Sequence, residues 1–147
     1  MRKRRAARVL LFDPTGDILL IRCAVLGGGE DFVFWLTPGG EIEPGESEID
    51  AAHREIREEL GLNLALEGPI RIDANSFLHQ GEMLDNTDFY FRASCEREAP
   101  QLIGITPGEL EMMKEIRWWT PDELNRTTAA TIFPLDLASW VRHLQSR

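Results

Sequence analysis

The chain's 147 residues are enough to bury one proper core, and 43% apolar with 28% charged residues is ordinary for a soluble globular protein. A net charge of −9 excludes a general nucleic-acid coat, because phosphate backbones select basic faces. No apolar run approaches the roughly eighteen residues needed to cross a bilayer.

The N-terminus, "MRKRRAARVLLFDPTGD", imitates a secretory signal only in outline. Arg8 interrupts the apolar run, Asp13-Pro14 ends it, and no small-residue cleavage site follows. Cys23 and Cys95 stand apart, with neither a CxxC pair nor a disulfide pattern, so the expected setting is reduced and cytoplasmic. The Arg2-Lys3-Arg4-Arg5 cluster reads either as the solvated end of a first strand or as a contact for a polyphosphate or another subunit.

"ARVLLF" and "DILLIR" flank the turn signal "DPTG" and predict an antiparallel hairpin. "LGGGED", Leu26 to Asp31, reads as a connecting loop, and "FVFWL" as a strand ended by Pro38-Gly39-Gly40. One strong helix follows. Ser47 is its N-cap, Glu48 and Asp50 suit the first turn, and Gly61 ends it. "LALEGPIRI", "NSFLHQ", "DFYFRASC" and "EIRWW" predict further strands. Thr106-Pro-Gly-Glu109 and Thr120-Pro-Asp-Glu123 carry capping-box patterns, the second before a short helix. Pro134 opens a last helix with an apolar stripe of Leu137, Ala138, Val141 and Leu144. Mixed strands with a few helices, and no linker that splits the chain, predict one α/β domain over 1–147 with its sheet covered on both faces.

On a wheel turning about 100° per residue, Ile49, Ala52, Ile56 and Leu60 face the core. Glu55, Glu58 and Glu59 gather on a second arc, with Ala51 leaving room beside them. Like charges at these spacings cost about 0.2–0.5 kcal/mol per pair. Acids in a last turn also oppose the helix dipole. Asp50 can support Arg54 from four residues back, but nothing local relieves the glutamate trio. A solvated acidic face is one reading; a divalent cation held by hard carboxylate oxygens is the other.

The spacing from Gly40 runs G-x5-E-x7-R-E-I-x-E-E-x-G-L, through Glu46, Arg54, Glu55, Ile56, Glu58, Glu59, Gly61 and Leu62. This resembles the signature of the Nudix hydrolases, with every fixed position filled between residues 40 and 62. A chance match anywhere in such a chain is below roughly one in a million. The resemblance implies the family's α/β/α sandwich around a mixed β-sheet. It implies Mg²⁺ or Mn²⁺ held by Glu55, Glu58, Glu59 and the Gly40 carbonyl, with Glu46 and Arg54 as a bracing ion pair and Gly61 permitting the helix exit. Glu58, Glu55 and Arg54 become the catalytic candidates.

The implied reaction is water attack on phosphorus in a pyrophosphate linkage of a small-molecule nucleotide, a nucleoside di- or triphosphate derivative. The base is Glu58 or a glutamate outside the signature, with Glu109, Glu111 and Glu115 as candidates that also read as plain surface or capping acids. His53 falls nearer the core side, and His79 lies at a strand end. Of Trp118 and Trp119, at least one belongs in the core. The proline and tyrosine that mark ADP-ribose and dinucleoside polyphosphate subgroups are absent from their places near Leu78 to Gln80, which favours nucleotides or deoxynucleotides. A non-catalytic ligand-sensing or partner-binding module on the same scaffold is the alternative. A prenyl diphosphate isomerase would need a cysteine beside the metal. A homodimer is the common form of small soluble enzymes.

Overall fold

The computed structural model describes residues 2–25, 32–79, 81–103 and 112–145. In chain order the elements are β1 (Arg2–Phe12), β2 (Ile18–Val25), β3 (Phe32–Leu36), β4 (Gly39–Glu41), α1 (Glu48–Leu60), β5 (Glu67–His79), β6 (Glu82–Ser94), β7 (Met112–Trp119), α2 (Pro121–Arg126), β8 (Ile132–Phe133) and α3 (Leu137–Gln145). The strands form one mixed sheet in the order β5-β6-β1-β2-β3-β8, with β4 also on β1 and β7 on β2.

The expected hairpin exists only at its turn. β1 and β2 pair at Phe12↔Ile18 and then part. β1 runs parallel to β6 along its whole length, while β2 is held by β3 and β7. Into the gap comes the Pro38–Glu41 stretch. The Val9 N–H donates to the Pro38 carbonyl at 2.9 Å, and Ala6, Ala7 and Arg8 pair with Glu41, Gly40 and Gly39. A β-carbon on Gly39, at φ 143°, would lie 2.0 Å from the Ala7 carbonyl oxygen, so this wedge requires glycine. The split in the sheet therefore places the start of the signature against β1.

Alternation along the central strands makes two cores. Ala7, Val9, Leu11 and Leu19 pack with Ala51, Ala52, Ile56 and Leu60 of α1, and with Phe91. Leu10, Phe12, Ile18 and Leu20 pack on the opposite face with Trp35, Trp119, Leu124, Leu137, Val141 and Leu144. The result is the expected α/β/α sandwich around a mixed sheet. Trp119 is the core tryptophan, whereas the Trp118 indole N–H donates to the Arg97 carbonyl at 3.0 Å.

"LALEGPIRI" and "NSFLHQ" are not two strands but one, β5, whose pairing with β6 shifts between Glu67 and Arg71 around Gly68-Pro69. Proline has no N–H to give to a ladder, so pairing skips that point and resumes. β4 and β8 are further strands that the apolar pattern does not announce. The capping pattern at Thr106 and the "LGGGED" loop lie outside the described residues.

Candidate metal and phosphate site

α1 begins and ends as its sequence dictates. The Asp50 N–H donates to Ser47 Oγ at 3.2 Å. At the other end Gly61 turns left-handed at φ 70°, its N–H bonding the Arg57 carbonyl and that of Leu62 the Ile56 carbonyl. The buried stripe is Ala51, Ala52, Ile56 and Leu60. Two wheel assignments are corrected here. Ile49 is 38% exposed, because the first turn projects to where Arg5 pairs with Glu48 rather than to apolar strand residues. Ala51 leaves no space beside the glutamates but is itself core, since α1 packs on β4 as well as β1.

Glu55 turns its carboxylate onto the wedge. A β-carbon on Gly40 would stand 2.6 Å from Glu55 Oε1. The Gly39 N–H donates to Glu59 Oε1 at 3.3 Å. Both glutamates thus meet the Gly39-Gly40 backbone, while the Glu58 side chain remains 59% exposed.

Arg54 corrects the expectation that nothing local relieves the trio. Its Nε and Nη2 fork onto Glu46 at 2.7 and 2.9 Å, and Nη2 also donates to the Glu41 carbonyl at 2.9 Å. Nη1 reaches Glu55 Oε1 at 2.9 Å and Glu58 Oε2 at 3.3 Å. These carboxylates, not Asp50, are its partners. The guanidinium is 15% exposed and stands as a cation among the acids.

The electrostatics follow from these contacts. Arg54's hydrogen bonds, helped by the Glu43 backbone, hold the Glu46 carboxyl down at about 2. Surrounded by acids, Arg54 holds its proton more firmly than usual. Glu55 moves the other way. Burial pushes its carboxyl above the usual range, although Arg54 opposes this and Arg8 helps to oppose it.

As the side chains stand, no three carboxylate, histidine or cysteine groups among the described residues converge closely enough to hold a metal. The donor set nonetheless fits a hard divalent cation. It consists of carboxylate oxygens, one desolvated, beside a glycine whose missing side chain leaves the space. Glu58, being mostly exposed, can turn inward at little cost.

Other candidates separate by position. Glu115 sits on β7 and pairs with Arg22 at 3.4 Å. Glu109 and Glu111 lie outside the described residues. His53 is half-buried on α1. Cys95 ends up beyond β6, where burial raises its thiol pKa, and this does not suit a nucleophile. The basic N-terminus is a strand with partners. Arg4 Nη1 donates to Asn86 Oδ1 at 3.1 Å, and Arg2 pairs with Glu41 at 3.5 Å. Sequence reasoning missed Arg8, a half-buried cation opposite Gly39. Its signal was the break it makes in an otherwise apolar strand.

No helix among the described residues is long and apolar enough to cross a membrane. The chain is 38% identical over 68 residues to a Bacillus subtilis (strain 168) protein provisionally named 8-oxo-dGTP diphosphatase, a match covering 46% of this chain and 42% of that relative. The MutT protein from Methanosarcina mazei Go1 superposes with a TM-score of 0.70 at 17% identity, covering 99% of this chain and 97% of that one. The E. coli dihydroneopterin triphosphate pyrophosphohydrolase does so at 0.60 with 20% identity, covering 88% and 90%. At these identities the structures speak for the fold. The NUDIX domain family model matches residues 2–141, and with the signature seated in the split sheet this chain belongs to the Nudix family.

Proposed function

We propose that residues 1–147 act as one Nudix domain that hydrolyses a pyrophosphate linkage in a nucleoside di- or triphosphate derivative, with Mg²⁺ or Mn²⁺ as cofactor. The observation that carries this reading is the seating of Glu55 and Glu59 on the Gly39-Gly40 backbone, with Glu58 beside them and every signature position filled. The names of relatives, an 8-oxo-dGTP diphosphatase and a dihydroneopterin triphosphate pyrophosphohydrolase, support a nucleotide-like triphosphate as substrate.

Glu55, Glu58 and Glu59, with the Gly40 carbonyl, would hold the cation. When bound, it would neutralise phosphate oxygens and lower the pKa of a coordinated water. The protein's own part is positioning and charge. Arg54 fixes Glu46 against the helix and keeps Glu55 oriented, while releasing Glu58 requires only the 3.3 Å contact to open. Glu58 is the exposed carboxylate of the three and the one free to take a proton from water. Arg8, in register with Gly39 across the wedge, adds its positive charge to the field at Glu55.

The test is phosphate or pyrophosphate release from a panel of nucleotides, including 8-oxo-dGTP, with Mg²⁺ or Mn²⁺. Glu58→Gln and Glu59→Gln should abolish release and keep the fold. A wild-type protein that cleaves none of the panel would replace this reading with that of a non-catalytic binding module.

A further inference from the structure

β5 ends the sheet. Among the described residues it pairs only with β6, so its outer edge keeps backbone N–H and C=O groups without a ladder partner. From Arg71 to His79 its register with β6 runs unbroken, which makes this stretch regular enough to take another strand.

Both faces of the edge are ready for one. Ile72 is 57% exposed and stands beside Phe89, which packs on the α1 core. On the other face Arg71 and Asp73 alternate in charge, with 25% and 31% of their side chains exposed. Arg71 is already fixed by Asp136 at 2.8 Å and by the Trp140 ring. Its hydrogen bonds run through Nε and Nη2, and among the described residues Nη1 donates to nothing.

We propose that this edge is the interface for a second copy of the chain, joined antiparallel across a two-fold axis through Ile72. Side chains stay on matching faces only if such an axis passes through a residue. An axis at Arg71 sets guanidinium against guanidinium, and one at Asp73 sets carboxylate against carboxylate. The axis at Ile72 places Arg71 opposite the partner's Asp73, and Asp73 opposite the partner's Arg71. It also sets Ile72 against its own copy, so the apolar row from Phe89 continues into the second sheet. Facing opposite charges and facing apolar groups favour pairing, whereas facing like charges oppose it. An axis at Ala74 is neutral, but it wastes Ile72 on Ser76 and Asp73 on Asn75. Pro69 lacks an N–H and stops the ladder just beyond Ile70, while the far edge of the sheet is the two-residue β8. Pairing therefore closes at two copies, and so short an edge gives a reversible dimer rather than a permanent one.

Sedimentation velocity at rising concentration should show monomer giving way to dimer. Ile72→Lys should stay monomeric throughout, with an unchanged melting midpoint at low concentration. Two cysteine variants, each made with Cys95→Ser, then test the register under mild oxidation. Ile72→Cys should give a disulfide-linked dimer, since directly facing Cα atoms lie about 4.5–5.5 Å apart. Ala74→Cys should not, because this register holds the two copies of residue 74 about 14 Å apart. A wild type that stays monomeric overturns the proposal and leaves the edge to a strand of another protein. A dimer that survives Ile72→Lys overturns it in favour of another surface, and cross-linking through residue 74 instead of 72 overturns the axis.

Discussion

The Gly40 Cα lies against the Glu55 carboxylate so closely that an added β-carbon would stand 2.6 Å from Oε1. Gly40→Ala should therefore push Glu55 off the wedge. We expect Mg²⁺ or Mn²⁺ affinity, measured by calorimetry, to fall about tenfold or more, as it does when a ligand loses its support. Circular dichroism should remain that of the wild type. Undiminished cation binding would separate Glu55 from the metal.

Burial raises the Glu55 carboxyl pKa, so the folded state binds a proton there more readily than the unfolded chain. Ionisation then costs stability as pH climbs through that raised value, and the cost persists at neutral pH. Glu55→Gln should melt higher than wild type at pH 7 in a chelator. Added Mg²⁺ should raise the wild-type midpoint and leave that of the variant unmoved. A variant that melts lower in chelator would show that its contact with Arg54 outweighs desolvation.

Glu46 has the opposite sign. Its carboxyl is held at about 2 by Arg54, against an ordinary value of 4.5. Stability from this pair is complete above the ordinary value and disappears as pH falls towards about 2. Acid unfolding of Glu46→Gln should consequently show a flatter limb in that window, with a loss of about 1–3 kcal/mol at neutral pH. Identical acid limbs for the two proteins would remove Glu46 as the titrating group.

Arg71 ties the C-terminal helix to the sheet. It bonds Asp73 and, at 2.8 Å, Asp136, and its guanidinium lies 4.3 Å from the centre of the Trp140 ring, which meets Tyr90 edge-on. Arg71→Ala should cost about 1–2 kcal/mol and lower the melting midpoint by several degrees. Hydrogen exchange should quicken in 137–145 before it does in α1. Uniform exchange across both helices would mean that α3 is held by its apolar stripe alone.

The sequence was most legible where local chemistry is specific. Ser47 and Gly61 bound the signature helix, and the Thr120–Glu123 capping box opens α2 as its residues specify. The apolar stripes of the signature helix and the last helix also marked one core on each face of the sheet. What they could not convey was partnership. β4 is made of Gly39, Gly40 and Glu41, and only its register against β1 makes it a strand. β5 carries Pro69, Asp73 and Asn75 and so reads as two pieces. The signature implied the Glu46–Arg54 pair that the structure shows, whereas helix spacing alone pointed to Asp50, because the Glu46 contact depends on a loop folding back across the helix.

The parallel pairing of β1 with β6, from Arg2↔Leu84 to Phe12↔Ser94, sets an order of events on a growing polypeptide. β1 must wait for β6, six elements later in the chain, before one of its edges is satisfied. Loop-closure entropy is therefore spent early and recovered late, a topology that slows folding. Until then "ARVLLF" has one open apolar edge, and the basic residues ahead of it keep that stretch soluble.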